Sequence, residues 1–479
     1  MMGTKSFKLY FKGSLTSLLA SALQKIAVLV IIWILNRVLS KGEFGNYSLA
    51  ITIIGILTLV ASAGLERTTM YRLSRLKLKS DDIGGKKFAS CVFWWGLLIS
   101  CGITFLLVLV SQQLSFLFNK PSIHIWLIAF AILIPLDVGR GIYNSWYRSR
   151  QRIVEAIFNN DIVFVVLKLI LITLIWFMMP SISGVALAFV ISSLVVLVLW
   201  FVKNPMHLSF PKGQLKKWDV QYGLKLMLNG LTSVGMRKID LLCIGAIGLS
   251  GTLADYALAS QLAWLLFFGY QSFNVVLYPR MGQFFAKNEH NKLRSEYDLI
   301  RILSLSSALI ISLMFVFYGK YILQFFGDYV ASYSVLLILI AAYIVTISFG
   351  TAAGFLNLAG HSGWLLLTSV CAVSGNILLN LYLVPLYGGN GAAIATLISM
   401  TLSSVMMTII IFKLRKFKIY SLELFCMVCL MVVLLLVCAF GVFDYLKAGL
   451  GLMLILLYYL IRNRDLLLQM FKSFKEVFQ

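Results

Sequence analysis

The segment Leu422–Phe440, LELFCMVCLMVVLLLVCAF, decides what kind of protein this is. It carries a single charge, Glu423, at its very start. A helix of about 20 predominantly apolar residues is what crosses the hydrocarbon core of a bilayer. Stretches of the same kind recur toward both ends of the chain. The 479 residues are 60% hydrophobic and 12% charged, with a mean hydropathy of +0.92. A soluble domain has roughly 45–50% apolar and about 25% charged residues. A soluble chain of this length also divides into domains joined by polar linkers, and no such linker separates the apolar stretches here. The expectation is an all-α polytopic membrane protein, which excludes a cytosolic enzyme, a secreted domain and a nucleic-acid binder.

Working outward gives fourteen predicted transmembrane helices. In the first half they lie near Leu15–Asn36, Tyr47–Leu65, Phe88–Ser111, Ile123–Gly139, Ile157–Met178 and Gly184–Val202. The next six lie near Tyr222–Ile247, Leu253–Tyr278, Leu299–Tyr318, Ser334–Phe355, Gly363–Leu383 and Gly391–Phe412. Leu422–Phe440 and Leu446–Ile461 close the series. The first span is too long, and its approach too basic at Lys5, Lys8 and Lys12, for a cleaved signal peptide.

The formal charge of +23 comes from 41 Lys and Arg against 18 Asp and Glu. With the amino terminus in the cytoplasm, thirty of the basic residues fall on inside segments, seven of them in the 66–87 loop and others at Arg140, Arg148, Arg150 and Arg152. Five fall outside: Arg37, Lys41, Lys120, Lys320 and Lys447. The positive-inside rule accounts for such a bias and puts both termini in the cytoplasm. All seven cysteines lie within apolar stretches, and the Cys426-x-x-Cys429 pair sits inside the opening segment, where small apolar side chains are the simpler reading than redox chemistry. His124, His207, His290 and His361 are scattered without metal-ligand spacing, so neither metal nor cofactor is expected.

An internal echo organises the spans. Asn46-Tyr47-Ser48-Leu49-Ala50 opens the second and Asp255-Tyr256-Ala257-Leu258-Ala259 the eighth, while Gly184-Val185-Ala186-Leu187-Ala188 and Gly391-Ala392-Ala393-Ile394-Ala395 open the sixth and twelfth. Both offsets cover six helices, an even number, so the two halves share one orientation. The domain reading is a six-helix lobe over 1–203, a second parallel lobe over 204–412, and two extra helices with a cytoplasmic tail over 413–479. Two lobes around a central cavity are a plan for alternating access.

The run Arg37-Val38-Leu39-Ser40-Lys41-Gly42-Glu43-Phe44-Gly45-Asn46-Tyr47 resembles the opening motif of bacterial polysaccharide exporters. So does Gly375-Asn376-Ile377-Leu378-Leu379-Asn380, continuing through Val384-Pro385-Leu386-Tyr387-Gly388 to Gly391-Ala392-Ala393-Ile394-Ala395-Thr396. Over essentially all its spans the chain resembles a Wzx-type O-antigen or capsule repeat-unit flippase of the multidrug/oligosaccharidyl-lipid/polysaccharide exporter superfamily. That resemblance implies a non-enzymatic protein of the bacterial inner membrane, active in lipopolysaccharide or capsule biosynthesis. Its substrate would be an undecaprenyl-pyrophosphate-linked glycan, moved from the cytoplasmic to the periplasmic leaflet. The implied partners are a coupling proton or sodium ion, membrane lipids, and the glycan polymerase and chain-length machinery.

Such a head group needs a polar route, and charges inside the spans mark candidates for it. A Lys at the bilayer centre costs about 2.5–3.5 kcal/mol on insertion scales, so it faces water or a partner. Lys25 and Lys168 lie mid-span, and Arg237 and Lys238 lie in the seventh span; all four are expected to draw a pyrophosphate. Arg237 with Asp240 reads equally as an intrahelical ion pair. Asn376 and Asn380, one turn apart, suit either sugar hydroxyls or the joining of helices. Lys225 and Arg301 lie where side chains snorkel to the cytoplasmic surface. Asp161 and Asp240 are the acids placed for ion coupling, whereas Glu66, Asp137 and Asp255 fall at span ends and are expected to be solvated. No G-x-x-x-x-G-K-[ST] motif occurs, so direct use of ATP is not expected.

Two rivals stay open. An ion-coupled multidrug exporter of the same superfamily is expected to carry deep carboxylates for cationic drugs, and here the basic residues are in excess. A membrane glycan polymerase needs catalytic groups on a sizeable loop, and the longest outside loops span only about a dozen residues without paired carboxylates.

Overall fold

The computed structural model describes residues 22–78, 82–150, 152–178, 180–203, 215–247, 250–415 and 421–464, and every regular element among them is a helix. Residues 22–38 form α1. There follow α2 (Lys41–Ala61), α3 (Leu65–Leu78), α4 (Asp82–Leu117), α5 (Ile123–Ala131), α6 (Leu133–Ser149) and α7 (Ile153–Ile157). A π-helical turn, Phe158–Val163, leads into α8 (Phe164–Met178), then α9 (Ile182–Lys203), α10 (Lys217–Ile247), α11 (Ser250–Ala263) and α12 (Phe267–Ala286). The remainder are α13 (His290–Phe326), α14 (Tyr333–Ser348), α15 (Ala352–Leu358), α16 (Ser362–Arg415), α17 (Leu422–Ala439) and α18 (Tyr445–Arg462).

By length and composition, nine of the described helices can cross a membrane, or ten if the bent pair α5–α6 is one span. The predicted fourteen is not reached by that measure, for identifiable reasons. The start of the first span, at Leu15, lies outside the described residues. The seventh span is a single helix, α10, that carries Lys225, Arg237, Lys238 and Asp240. The eighth is interrupted by a 3₁₀ turn at Trp264–Leu266. Spans eleven and twelve run together as α16, divided only by Gly388, whose φ of 56° and ψ of −131° break the helix after Pro385. The expected 66–87 loop is also mostly helix, because α3 carries Arg67, Arg72, Arg75 and Lys77 on a helix outside the apolar stretch.

Local chemistry starts and stops these elements. Ser40 is the N-cap of α2: its hydroxyl accepts from the Glu43 amide at 3.3 Å, and Ser40-x-x-Glu43 has capping-box spacing. α2 stops where Ala63 and Gly64 take positive φ, 45° and 67°. Gly64 is there of necessity, because a β-carbon would run into the carbonyl of Gly223 on α10.

The chain divides into two compact units, Met1–Ala254 and Asp255–Gln479. In the first, the Tyr47 ring of α2 packs against Trp126 and Phe130 of α5 and Phe189 of α9, with centroids 5.6, 6.0 and 5.8 Å away. Along α10, Gly223, Gly230 and Gly245 seat against Ala63, Leu59 and Leu49, so the two helices run antiparallel in close contact. In the second unit, α14 is enclosed on all sides, with Leu336 through Ala342 fully buried. α13, α16 and α17 pack on it. Outward apolar residues such as Leu98, Phe105 and Leu106 of α4 stay uncovered, as a lipid-facing surface requires.

Candidate functional site: a basic cluster among the helices of the first unit

Arg140 anchors a connected polar group in the first unit. It lies buried on α6, not on an inside segment between spans as its charge alone suggests. Its Nη1 meets Asp137 Oδ1 at 3.1 Å and donates to Ser193 Oγ of α9 at 2.9 Å, and Ser193 Oγ in turn donates to Asp137 Oδ1 at 2.6 Å. Its Nε donates to Asn160 Oδ1 at 3.4 Å. That acceptor is supplied by the π-helical turn, whose extra residue per turn re-aims the side chains it carries. The guanidinium lies 3.5 Å from the centroid of the Phe164 ring. Lys168, one turn further along α8, places Nζ 4.2 Å from the centroids of both Phe164 and Phe189. Two cations are thus held over aromatic faces in a mostly apolar setting, where such contacts are strongest.

Two of the three carboxylates expected to be solvated, Asp137 and Glu66, belong to the same group. Asp137 is half-buried in the Arg140–Ser193 network. Glu66, past the apolar end of α2, lies against Gly141, where even a methyl group would collide with its carboxylate. Burial, then the neighbouring Asp137, push the Glu66 pKa up to about 7, against the opposing pull of Arg67 and Arg140. The signal in the sequence was Gly139-Arg140-Gly141: small residues flanking a cation where a second helix comes close.

The other candidates divide by place. Lys25 of α1 is half-buried, and Arg237 of α10 acts on it as a nearby like charge. Lys238 feels the same arginine. Lys25, Arg237 and Lys238 therefore form a second basic group in this unit, beside the group of Arg140 and Lys168. Asp240 is 1% exposed although Arg237, three residues earlier, is exposed. The side chain of Asp161 lies outside the described residues. In the second unit, Asn376 and Asn380 are buried in α16. Asn380 Nδ2 donates to the carbonyl and Oδ1 of Asn376, both at 2.9 Å, and Asn376 Nδ2 to Thr396 Oγ1 at 3.4 Å, beyond the Gly388 break. They thus join the two arms of α16. No cluster of His, Cys, Asp or Glu with the geometry of a metal site occurs among the described residues.

No curated protein sequence matches the chain. Its fold is similar to that of a solved structure described as the lipid II flippase MurJ in an inward closed conformation, with a TM-score of 0.69 and 16% identity over 95% of this chain and 99% of that one. It is similar as well to an inward-facing multidrug resistance transporter of the MATE family in the MOP superfamily, with a TM-score of 0.64 and 16% identity over 80% and 92%. A MATE transporter of Vibrio cholerae, VcmN, follows at a TM-score of 0.62 and 18% identity over 88% and 100%. At these identities the likeness establishes the fold, that of membrane transporters and flippases. A family model described as "Polysaccharide biosynthesis protein" matches residues 34–335, more than half of the sequence, and the chain belongs to that family.

Proposed function

We propose that the chain is a flippase that carries undecaprenyl-pyrophosphate-linked oligosaccharide repeat units from the cytoplasmic to the periplasmic leaflet by alternating access through a cationic cavity. The observation that carries this reading is the set of basic side chains within one apolar helical unit, Lys25, Arg140, Lys168, Arg237 and Lys238. Cations kept at a desolvation cost and backed by aromatic faces suit a polyanionic head group, whose attraction grows as the local dielectric falls. Membership of a polysaccharide-biosynthesis family supports a glycan-bearing substrate. In this reading Lys25, Lys168, Arg237 and Lys238 receive the pyrophosphate, Asn376 and Asn380 serve sugar recognition through the shape of α16 that they hold, and Asp161 and Asp240 carry the coupling proton or sodium. O-antigen or capsule units in a bacterial inner membrane are the proposed setting.

The test is the leaflet distribution of lipid-linked glycan in a deletion strain. Wild type should relieve build-up on the cytoplasmic side, whereas Lys25→Ala should not. Absence of build-up, with new sensitivity to cationic dyes, would instead support an ion-coupled multidrug exporter, a reading that the same fold accommodates. Neutralising Asp161 and Asp240 should remove ion dependence; unchanged dependence in both variants discards them as coupling groups.

A further inference from the structure

The second unit holds a cavity of about 330 Å³ where the first turn of α17 and the last turn of α18 meet α13. It is lined by Arg301 of α13, Ser421 and Glu423 at the start of α17, and Tyr459, Arg462 and Asn463 at the end of α18. Ion pairs link the lining to its surroundings: Arg301 Nη2 to Asp298 at 2.7 Å, Arg294 to Asp298 at 4.0 Å, and Arg462 Nε to Glu423 at 3.4 Å. The lining itself carries two arginines and one carboxylate, Arg301 and Arg462 against Glu423, which leaves a net positive charge. Arg301 is held largely inside, with its side chain 14% exposed, so one of the two lining guanidiniums is in place before a ligand arrives. Ser421 caps α17 by accepting from the Leu424 amide at 3.2 Å, which turns the positive end of that helix toward the same place.

We propose that this cavity binds the phosphate head group of an anionic phospholipid, such as phosphatidylglycerol. Arg301 and Arg462 contact the phosphate, and Ser421, Tyr459 and Asn463 contact the polar head. Two features favour a lipid over a soluble phosphate. The same turns that line the cavity carry uncovered apolar side chains, Leu422 and Phe425 on α17 and Tyr458 and Ile461 on α18, a surface suited to acyl chains. Arg462 also ends α18, and Arg301 lies in the first third of α13, on the side that the distribution of basic residues assigns to the cytoplasm, where anionic lipid is drawn to basic residues. The volume sits at the small end of ligand pockets, roughly 300–1,000 Å³, and suits one head group rather than an oligosaccharide. The assignment does not depend on the flippase reading.

The test is native mass spectrometry of the full chain in detergent, titrated with phosphatidylglycerol, phosphatidylcholine or soluble glycerol phosphate. One phosphatidylglycerol should bind with a preference over phosphatidylcholine of about fivefold per arginine. Arg301→Gln/Arg462→Gln should abolish the preference, while Lys320→Gln, near the far end of α13, should keep it. If the double variant does not fold, Arg462→Gln alone decides, because that side chain is 65% exposed and should reduce the preference without loss of fold. Equal binding of the two lipids by wild type overturns the proposal. So does a preference left undiminished by Arg462→Gln, or displacement of the lipid by glycerol phosphate at equal concentration.

Discussion

Glu66 and Gly141 show how one small residue sets a carboxylate's chemistry. The glycine lets the Glu66 side chain lie on α6, close to Asp137 and within reach of Arg140. Gly141→Ala is expected to cost about 1–3 kcal/mol through overpacking. Glu66→Ala in the same chain should recover most of that loss, and thermal unfolding of the two single variants and the double variant measures the coupling. The pH dependence has a definite sign. The folded-state pKa of about 7 lies above the ordinary 4.5, so the folded chain holds the proton more tightly than the unfolded one. Stability is therefore lost as pH rises from about 4.5 to about 7. Glu66→Gln should raise stability by about 1 kcal/mol at pH 8 and change it little at pH 5. Comparison of melting temperatures at the two pH values checks this, and an equal effect at both contradicts the shifted ionisation.

At the scale of elements, the decisive contact is α10 against α2 and α3. Small residues bring the backbones together at Gly64 and Gly223, and just beyond them Arg72 of α3 pairs with Asp219 of α10. Asp219 is buried and accepts also from the Lys216 amide at 2.9 Å. Tyr71 packs on Trp218 and Tyr222, which stack on each other with centroids 4.9 Å apart. Arg72→Ala leaves a buried carboxylate without its guanidinium and should cost about 3 kcal/mol; the double variant Arg72→Ala/Asp219→Ala should cost less, because no buried charge then lacks its partner. Detergent-phase melting temperatures of the three variants test this. Gly223→Leu should be more damaging than either, since it forces two backbones apart. In the sequence Arg72 is one cation of the basic 66–87 stretch, and Asp219 lies three residues before the expected seventh span. Neither residue, read alone, says that they meet across 147 positions.

At the scale of the molecule, orientation rests on charge. Lys292 and Lys320 sit toward opposite ends of α13, on segments expected inside and outside. In a background without the seven native cysteines, Lys320→Cys should label with an impermeant thiol reagent in intact cells, whereas Lys292→Cys should label only after permeabilisation. The reverse pattern inverts the topology, and with it the side on which the cavity at Arg301 and Arg462 lies. The repeat also has a structural counterpart. Tyr47 and Tyr256 each stand six residues into their helices, α2 from Lys41 and α11 from Ser250, and each of these helices leads through a break into a second, α3 or α12.

The sequence by itself determined the class of the protein. Apolar runs leave a helix as the chain's only way to satisfy its backbone in lipid, and the runs Arg37–Tyr47 and Gly375–Thr396 resembled the family to which the chain belongs. The mid-span lysines were legible for the same reason, since an isolated cation in an apolar run is costly wherever it points. Tertiary structure alone decided which charges have company. Arg140, Asp137 and Glu66 read as boundary residues because hydropathy registers only neighbours in sequence. Their network is built from α3, α6, α9 and a π-helical turn, whose approach depends on Gly141 and on the register of the packed helices. The pocket at Arg301 and Arg462 is of the same kind: its two cations are 161 positions apart in sequence and come together only when α18 packs along α13.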